Sequence, residues 1–278
     1  MKPRVMSLVI FTCAVGLLIA PNQVNFLSAL LSLVAVALGA GASGSLNMWY
    51  ESDIDALMKR TCLRPIPLGK VSRKQAFIFG ITTSVISIFA LYVFSNILSA
   101  IMLSITILFY VVVYTIWLKQ RTPQNIVIGG AAGAFPPIIG WTIATNSISL
   151  EPIFLFLIIF FWTPSHFWAL SLYKTEDYSN AKIPMLPVVS GIKTTKINIF
   201  IYALILFCIS IAPYFFGFFS IIYFILSIFL GLYYVYLCYK LLIEKDKEKE
   251  KVVAKKIFFY SILYLFLIFL IILIDSIV

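Results

Sequence analysis

Residues 25–70 read NFLSALLSLVAVALGAGASGSLNMWYESDIDALMKRTCLRPIPLGK and pass from a long apolar run into a cluster of charges. The apolar part is long enough to cross a bilayer as a helix, since a span needs about 20 residues. The charged part, residues 47–70, holds three carboxylates and four cations. Charged groups close to a bilayer core are costly, so carboxylates at the end of a membrane helix indicate a functional site.

Asn47, Glu51 and Asp55 are spaced four residues apart in this stretch. On a continuous helix such residues drift by about 40° per step, so three oxygen-bearing side chains share one stripe. Asp53 lies about 200° from both neighbouring acids and is expected to face elsewhere. Oxygen ligands suit Mg²⁺, which often bridges a few carboxylates to substrate phosphates. The stripe therefore predicts a metal and phosphate site.

Cations follow the stripe directly, as Lys59, Arg60 and Arg64. Their charge suits the phosphate oxygens that a metal leaves uncompensated. The alternative is that all these charges are solvated loop residues, because positive loops beside membrane helices are common. The acidic stripe ahead of the cations favours the phosphate interpretation.

The rest of the chain repeats the apolar theme, since 62% of its 278 residues are hydrophobic. Nine apolar segments fit the length of a span, at roughly 5–20, 25–50, 74–94, 97–117, 125–145, 152–173, 196–213, 217–239 and 255–275. They predict an all-α polytopic membrane protein, with nine transmembrane helices around a central cavity that opens to the cytoplasmic side. We expect one domain over residues 1–278, with the first segment retained as a helix although its basic start resembles a signal peptide.

The net charge of the chain is +10, and its basic residues are concentrated in alternate connections between the apolar segments. The connections after the second, fourth, sixth and eighth segments are basic, and those after the first, third, fifth and seventh contain no Lys or Arg. By the positive-inside rule the N-terminus is cytoplasmic and the C-terminus is outside. The positive charge thus reports topology and does not imply nucleic-acid binding. Four scattered cysteines suggest neither a disulfide framework nor a metal site.

A second polar stretch on the cytoplasmic side is YTIWLKQRTPQNIVIGGAAGAFPPIIGW, residues 114–141. Lys119 and Arg121 end one helix, and the small residues 129–134 give the next helix a surface almost without side chains. Such a surface allows close helix packing, or alternatively forms a groove for a flat or chain-like ligand. Pro136 and Pro137 are expected to break or kink the helix near mid-membrane.

The third stretch is WTPSHFWALSLYKTEDYSNAKIPMLPVVSG, residues 162–191. Glu176 and Asp177, flanked by Lys174 and Lys182, repeat the combination of acids and cations. Two acidic loops on one membrane face suggest two half-sites around one cavity. His166 is the single histidine of the chain and stands among aromatic residues. One interpretation is a hydrogen-bonded structural residue. The alternative is a residue that binds an aromatic acceptor molecule, or that ligates the iron of such a molecule if it contains iron.

At these three stretches the sequence resembles the intramembrane aromatic prenyltransferases, and within them the protoheme IX farnesyltransferase (haem O synthase) branch. The matching motifs are NMWYESDIDALMKRTCLRPIPLG, LKQRTPQNIVIGGAAGAFPPIIGW and the third stretch, about 77 of 278 residues. The pattern of an Asn and two acids at four-residue spacing indicates only the superfamily. The strings IVIGGAAGAFPP and IPMLPVV are much more specific to the haem branch.

The resemblance implies transfer of farnesyl from farnesyl diphosphate to the vinyl group of haem B, giving haem O and diphosphate. By that resemblance Asn47, Glu51, Asp55 and Asp177 would be the catalytic and Mg²⁺-binding residues. The substrate-binding residues would be Arg60, Arg64, Lys119, Arg121, Lys174, Tyr178 and His166. Two positions depart from the family pattern: Glu51 stands where Asp is usual, and Ser165 stands where Pro often precedes the histidine.

Three other functions compete with this interpretation. A quinone-precursor prenyltransferase is disfavoured by the haem-branch strings, and a haem-binding electron carrier would need paired axial ligands. A transporter would carry acids near the bilayer midplane, and a deeply buried Asp55 without a nearby cation would contradict the enzyme. We expect the protein to lie in a bacterial plasma membrane, with farnesyl diphosphate, haem B and membrane lipid as its partners. A downstream haem-modifying enzyme is a candidate protein partner.

Overall fold

The computed structural model of the protein describes residues 3–59, 61–181 and 183–277, and for residues 3–5 the backbone alone. All regular structure in these ranges is helical. The helices are α1 (Pro3–Leu18), α2 (Phe26–Tyr50), α3 (Ser52–Leu57), α4 (Arg73–Phe94), α5 (Ile97–Leu108), α6 (Asn125–Ala134), α7 (Pro136–Thr145), α8 (Leu150–Tyr173), α9 (Thr175–Asn180), α10 (Leu186–Val189), α11 (Gly191–Phe215), α12 (Ile221–Ile243) and α13 (Lys247–Asp275). A π-helix, Phe109–Leu118, continues α5.

Eight helical stretches in the described ranges are long and apolar enough to cross a membrane. They run Phe26–Tyr50, Arg73–Phe94, Ile97–Leu118, Asn125–Thr145, Leu150–Tyr173, Gly191–Phe215, Ile221–Ile243 and Lys247–Asp275. A shorter apolar helix, Met6–Leu18, precedes them. The predicted helical membrane fold is therefore confirmed, and the first of the nine predicted segments, 5–20, corresponds to this shorter helix.

The helix ends are fixed by local side chains. Ser72 caps α4 in a capping box, in which its hydroxyl accepts from the Gln75 backbone N–H while the Gln75 side chain accepts from the Ser72 backbone N–H. Asn96 caps α5 and also donates from Nδ2 to the Thr142 carbonyl, at 2.7 Å. The two-residue connection between α4 and α5 is thereby tied to the end of α7.

The two prolines interrupt the fifth span as predicted. α6 ends at Ala134 and α7 begins at Pro136, because proline lacks an N–H and cannot continue the hydrogen-bond ladder. α1 packs closely against α7. A Cβ added to Gly140 would lie 1.9 Å from the Cys13 carbonyl oxygen, so the two backbones are in direct contact there.

The interior divides into two large apolar cores. One core is built mainly by α8, α11, α12 and α13, and the other by α1, α2, α4, α5 and α7. Large apolar side chains such as Phe89, Phe229 and Leu263 are exposed on the outside, as expected of a surface that faces lipid. A third, smaller cluster lies among the connections and contains residues of all three polar stretches.

Two cavities in the described part of the chain lie away from the predicted site. One of about 400 Å³ lies between α4 and α5 and is lined by apolar residues such as Val85, Phe89 and Ile101. A second, of about 170 Å³, lies beside Trp141 and Glu151. Neither is lined by a predicted site residue, so the central cavity stays a prediction.

Candidate active site

The acidic stripe keeps its helical register although the helix is not regular throughout. α2 ends at Tyr50 and α3 begins at Ser52, with Glu51 between them. The backbone N–H of Glu51 still donates to Asn47 O at 3.0 Å, and that of Asp55 to Glu51 O at 2.8 Å. The four-residue spacing therefore places all three side chains in the interior, where each residue is no more than 2% exposed.

Each residue of the stripe has a polar or cationic partner from another part of the chain. Asn47 Nδ2 donates to Thr115 Oγ1 at 3.2 Å. Glu51 Oε1 lies 2.5 Å from Lys119 Nζ. Both carboxylate oxygens of Asp55 accept from Arg64 Nη1, at 2.6 and 2.8 Å. The neighbouring cations offset the cost of burying two carboxylates.

Asp53 points away from the acidic stripe, as its position on the helix predicts. The Asp53 carboxylate is 83% exposed and pairs with Arg73 at 2.8 Å. Arg73 also contacts Ser52 Oγ through Nε, at 2.5 Å. Asp53 therefore fastens α3 to the start of α4 and faces away from the other two acids, as predicted.

Arg64 is presented by a compact loop. The Thr61 hydroxyl donates to Asp55 O at 2.9 Å, and the Thr61 and Cys62 backbone N–H groups both donate to Met58 O. These bonds fold the chain back on α3, which brings the Arg64 guanidinium to Asp55. Arg60, also predicted to bind substrate, lies outside the described residues.

The π-helix supplies the partners of the stripe. Thr115 Oγ1 donates to Tyr110 O at 2.9 Å, a bond across five residues that fits the wider turn. Lys119 follows at the end of this helix, with Nζ 5.8 Å from the Tyr114 ring centroid. π-helical turns are frequent at functional sites, and here the turn aligns Thr115 and Lys119 with Asn47 and Glu51. Lys119 thus lies against the stripe, and its binding of substrate stays a prediction. The Thr115 contact was not anticipated.

Asn125 is a buried polar residue beside the candidate site that the sequence did not single out. It is fully buried and begins α6, directly after the turn that contains Lys119 and Arg121. Its Nδ2 donates to Thr122 O at 2.6 Å, while Oδ1 has no hydrogen-bond partner among the described residues. The sequence feature that could have identified Asn125 is its position in the TPQN string, directly after Lys119 and Arg121.

The small-residue stripe of α6 serves close packing. A Cβ on Gly129 would lie 2.1 Å from the Tyr114 ring, and one on Gly130 would lie 2.9 Å from Thr163. Gly133 has open space around it. The packing interpretation is therefore confirmed for the first two glycines, which let the π-helix and α8 approach α6.

The third stretch contributes from α8 and α9. Asp177 lies in the first turn of α9 and is partly exposed, and no ion pair in the described ranges involves it. Tyr178 is buried, whereas Lys174 is exposed, with Nζ 6.0 Å from the Tyr173 ring centroid. Arg121 is likewise exposed.

One apolar cluster joins the three stretches. Ile54 comes from α3 and Met58 from its end, Ile126 follows Asn125, and Phe167 and Tyr178 belong to the third stretch. Ala181, Ile183 and Met185 complete it. The three polar stretches therefore meet at one end of the helices, which is what two half-sites facing one space require.

His166 lies beside this cluster, buried in α8. Its Nδ1 is 2.6 Å from Ser261 Oγ, and its ring stacks between Trp162 and Phe258. The Phe167 ring meets the imidazole edge-on, at 5.1 Å between centroids. His166 is thus both hydrogen-bonded and next to the predicted site.

The donor atoms of the stripe fit Mg²⁺, which prefers oxygen ligands. Glu51 Oε1 is buried and lacks a hydrogen bond of good geometry, although it forms an ion pair with Lys119. No three acidic, histidine or cysteine side chains in the described ranges converge as a complete metal site. Asp55 is buried but has Arg64 beside it, so the condition that would contradict an enzyme is not met.

The fold and site define an integral membrane protein, all-helical, with a buried acid and cation cluster at one end of its helices. Residues 9–263 match the UbiA prenyltransferase family. The chain belongs to that family.

Two relatives match along nearly the whole chain. The chain is 63% identical over 277 residues to the protoheme IX farnesyltransferase of Pelagibacter ubique (strain HTCC1062), covering 100% of this chain and 91% of the relative. It is 53% identical over 278 residues to protoheme IX farnesyltransferase 2 of Mesorhizobium japonicum, covering 100% of this chain and 88% of the relative.

Solved structures share the fold. A digeranylgeranylglyceryl phosphate synthase structure superposes with a TM-score of 0.81 at 21% identity, covering 99% of this chain and 95% of that chain. A UbiA homolog from Archaeoglobus fulgidus bound to DMAPP and Mg²⁺ gives a TM-score of 0.69 at 16% identity, covering 94% and 96%.

Proposed function

We propose that the chain transfers the farnesyl group of farnesyl diphosphate to the vinyl group of haem B, giving haem O and diphosphate. The observation that carries this proposal is the 63% identity over 277 residues to a protoheme IX farnesyltransferase. The paired acids and cations at the junction of the three stretches supply the chemistry that this reaction needs. The whole chain, residues 1–278, acts as one catalytic unit.

The donor half of the site is the stripe with its cations. Asn47, Glu51 and Asp55 hold Mg²⁺ through oxygen atoms, with Asp177 as the acid of the second half-site. The Archaeoglobus fulgidus homolog bound to DMAPP and Mg²⁺ supports a metal in this fold. When bound, Mg²⁺ supplies positive charge that stabilises the leaving diphosphate.

The protein's own cations complete the neutralisation of the diphosphate. Arg64 and Lys119 already lie against the buried carboxylates, within reach of a phosphate that the same carboxylates bind through metal. Arg121 adds charge from the adjoining turn, and the family resemblance adds Arg60 to the cations that bind the diphosphate. Charge that is in place before the reaction stabilises the diphosphate as it forms without reorganisation at the moment of bond breaking.

The reaction is an ionisation followed by two captures. The allylic C–O bond breaks, with its electron pair leaving on diphosphate, and the vinyl π electrons of the porphyrin attack the farnesyl cation. Water then adds to the new cation and loses a proton, forming the hydroxyethylfarnesyl group. The packed aromatic and apolar cluster around the site keeps bulk water from the first cation.

The acceptor half lies on α8 and α9, where His166, Lys174 and Tyr178 bind haem B. Both the farnesyl tail and the porphyrin are poorly soluble in water, so they enter sideways from membrane lipid. We place the site at the cytoplasmic face of a bacterial plasma membrane, with the N-terminus inside and the C-terminus outside. A downstream haem-modifying enzyme would receive the product.

Incubation of the purified protein with haem B, farnesyl diphosphate and Mg²⁺ tests the function. Mass spectrometry should detect haem carrying the hydroxyethylfarnesyl group, and omission of Mg²⁺ with a chelator present should remove it. A protein that binds both substrates yet yields only unmodified haem B would contradict the proposal. Replacing haem B with an aromatic quinone precursor distinguishes the competing prenyltransferase.

A further inference from the structure

Ser261 of α13 holds His166 from a position far away in sequence. The Ser261 side chain is fully buried, and its Oγ lies 2.6 Å from His166 Nδ1. The imidazole is stacked between two rings, with Trp162 at 4.2 Å and Phe258 at 4.6 Å between centroids and both within 23° of parallel. The histidine can therefore neither tilt nor flip without disturbing α13.

The hydrogen bonds of Ser261 select one tautomer of the imidazole. Ser261 Oγ also lies 2.7 Å from the Phe258 carbonyl oxygen, which can only accept. A hydroxyl has one proton, so it satisfies both contacts when it donates to Phe258 O and accepts from Nδ1–H of His166. The reverse arrangement would make only one of these bonds. The pair of contacts thus favours the Nδ1–H tautomer, with the lone pair on Nε2.

Ser261 also orients one of the two stacking rings. Trp162 Nε1 donates to the Ser261 carbonyl oxygen at 2.7 Å. The side chain and the backbone of one residue therefore fix two residues of α8 that lie one turn apart, Trp162 and His166. This is the arrangement by which residues behind a metal-binding histidine usually set its tautomer and ring orientation.

The second ring nitrogen of His166, Nε2, is available to bind a ligand. Within the described ranges His166 forms its hydrogen bond through Nδ1 and none through Nε2, and the residue retains 7% exposure. Phe167, which meets the imidazole edge-on, belongs to the cluster that joins the three polar stretches. A neutral imidazole with a free Nε2 lone pair is a common ligand for iron.

We propose that Ser261 is the positioning residue that holds His166 as the Nδ1–H tautomer, so that Nε2 ligates the iron of the porphyrin acceptor. This proposal rests on the proposed function, because haem B supplies the iron. Iron ligation would fix the height and in-plane position of the porphyrin, while the vinyl group is left free to meet the farnesyl cation.

The test follows the iron–histidine bond in the purified, full-length protein with ferrous haem B. Resonance Raman spectra should show an iron–histidine stretching band that His166→Ala loses. Ser261→Ala should keep the band but shift it to lower frequency, since a hydrogen bond from Nδ1–H strengthens the ligand. We expect the KM for haem B to rise roughly 10–100-fold in Ser261→Ala with a smaller change in kcat, the range typical of residues behind a metal ligand. Ser261→Thr should restore both.

A matched control is Ser171→Ala. Ser171 is equally buried, and its hydroxyl donates to a carbonyl three residues earlier, at 2.9 Å, as Ser261 does, but it does not contact His166. This variant should leave the band and the KM unchanged. If Ser261→Ala fails to fold, Ser261→Cys, of similar size but with a weak hydrogen-bonding sulfur, makes the same comparison.

The outcomes separate the two proposals. If wild-type protein forms no farnesylated haem, the proposed function fails. If wild-type protein is active but Ser261→Ala, or Ser261→Cys in its place, shows the wild-type band and KM, the positioning role is refuted. An iron–histidine band that persists in His166→Ala would show another ligand and would overturn the inference as well.

Discussion

At the scale of single residues, the two buried acids of the stripe are distinguished by their partners. Asp55 binds Arg64 through both carboxylate oxygens, while Glu51 meets Lys119 through one oxygen that lacks good hydrogen-bond geometry. A cation beside each acid offsets the cost of burying its charge. Under the proposed function, the same cations would contact the diphosphate when the carboxylates hold Mg²⁺. A neutral substitution at either acid removes the partner of a mostly buried cation, so folding has to be measured beside catalysis.

We predict that Asp55→Asn lowers kcat/KM for haem O formation by at least about 100-fold, the effect expected when a charge that organises the leaving group is removed. Asp53→Asn is the control, because the Asp53 side chain is 83% exposed and pairs outside the site. It should retain nearly full activity. Initial rates measured by mass spectrometry, with thermal unfolding to verify folding, test the pair. A folded Asp55→Asn variant with wild-type activity would refute the metal assignment.

A second prediction concerns the acid that departs from the family pattern. Glu51→Asp keeps the charge but is shorter by one methylene, so we expect retained activity and a change of less than about tenfold in the Mg²⁺ concentration for half-maximal rate. Glu51→Gln removes the charge and should raise that concentration by more than about tenfold. Titration of Mg²⁺ at saturating substrates measures both. Equal Mg²⁺ curves for Glu51→Gln and wild type would rule out Glu51 as a ligand.

At the scale of elements, the glycines of α6 set the distance to the π-helix. Gly129 and Gly133 lie one turn apart on α6, yet a Cβ on Gly129 would lie 2.1 Å from Tyr114 and one on Gly133 would meet nothing within 4 Å. Tyr114 in turn lies beside Lys119. The small-residue stripe therefore affects the site through the position of one aromatic ring.

We predict that Gly129→Ala displaces the Tyr114 ring, destabilises the protein by about 1–3 kcal/mol and lowers activity. Gly133→Ala should fold at least as well as wild type, because alanine favours a helix over glycine by up to about 1 kcal/mol. Thermal unfolding in detergent and farnesyl-transfer rates compare the two. Loss of activity in Gly133→Ala of the same size as in Gly129→Ala would show that the stripe binds a ligand directly.

Comparison of the helices with the sequence-based predictions shows which features the sequence determines. Most bounds of the spans were predicted to within about five residues, because apolar length follows from bilayer thickness. The exception is α13, which begins at Lys247 and not near the predicted residue 255. The direction of Asp53 followed from helical periodicity alone. The π-helix was not predicted, since the bond from Thr115 to Tyr110 O has no signature in composition. Ser261 was missed for a similar reason: it lies 95 residues from His166, and only tertiary packing brings them together.

At the scale of the whole molecule, the site lies where two packed halves meet. The stripe and the π-helix belong with the core of α1, α2, α4, α5 and α7, whereas His166 belongs with the core of α8 and α11–α13. The proposed donor and acceptor residues thus come from different halves, and one small apolar cluster joins the connections beside them. This division explains why no single stretch contains a complete site.

The proposed topology makes a final prediction, because the site must face the compartment that supplies its substrates. The acidic stripe, the Lys119 turn and α9 all lie on basic connections, which the positive-inside rule assigns to the cytoplasm. Ser147, between α7 and α8, is exposed on the opposite end, and Lys245, between α12 and α13, is exposed on the basic end.

Ser147→Cys and Lys245→Cys, each in a Cys62→Ser background, should therefore label oppositely with a membrane-impermeant maleimide. Intact bacterial cells should label only Ser147→Cys, and Lys245→Cys should label only after the membrane is opened. The Cys62→Ser parent without added cysteine is the control for the remaining cysteines, of which Cys13 and Cys238 are buried. Labelling of Lys245→Cys in intact cells would place the acids and cations of the site outside and would contradict the cytoplasmic orientation.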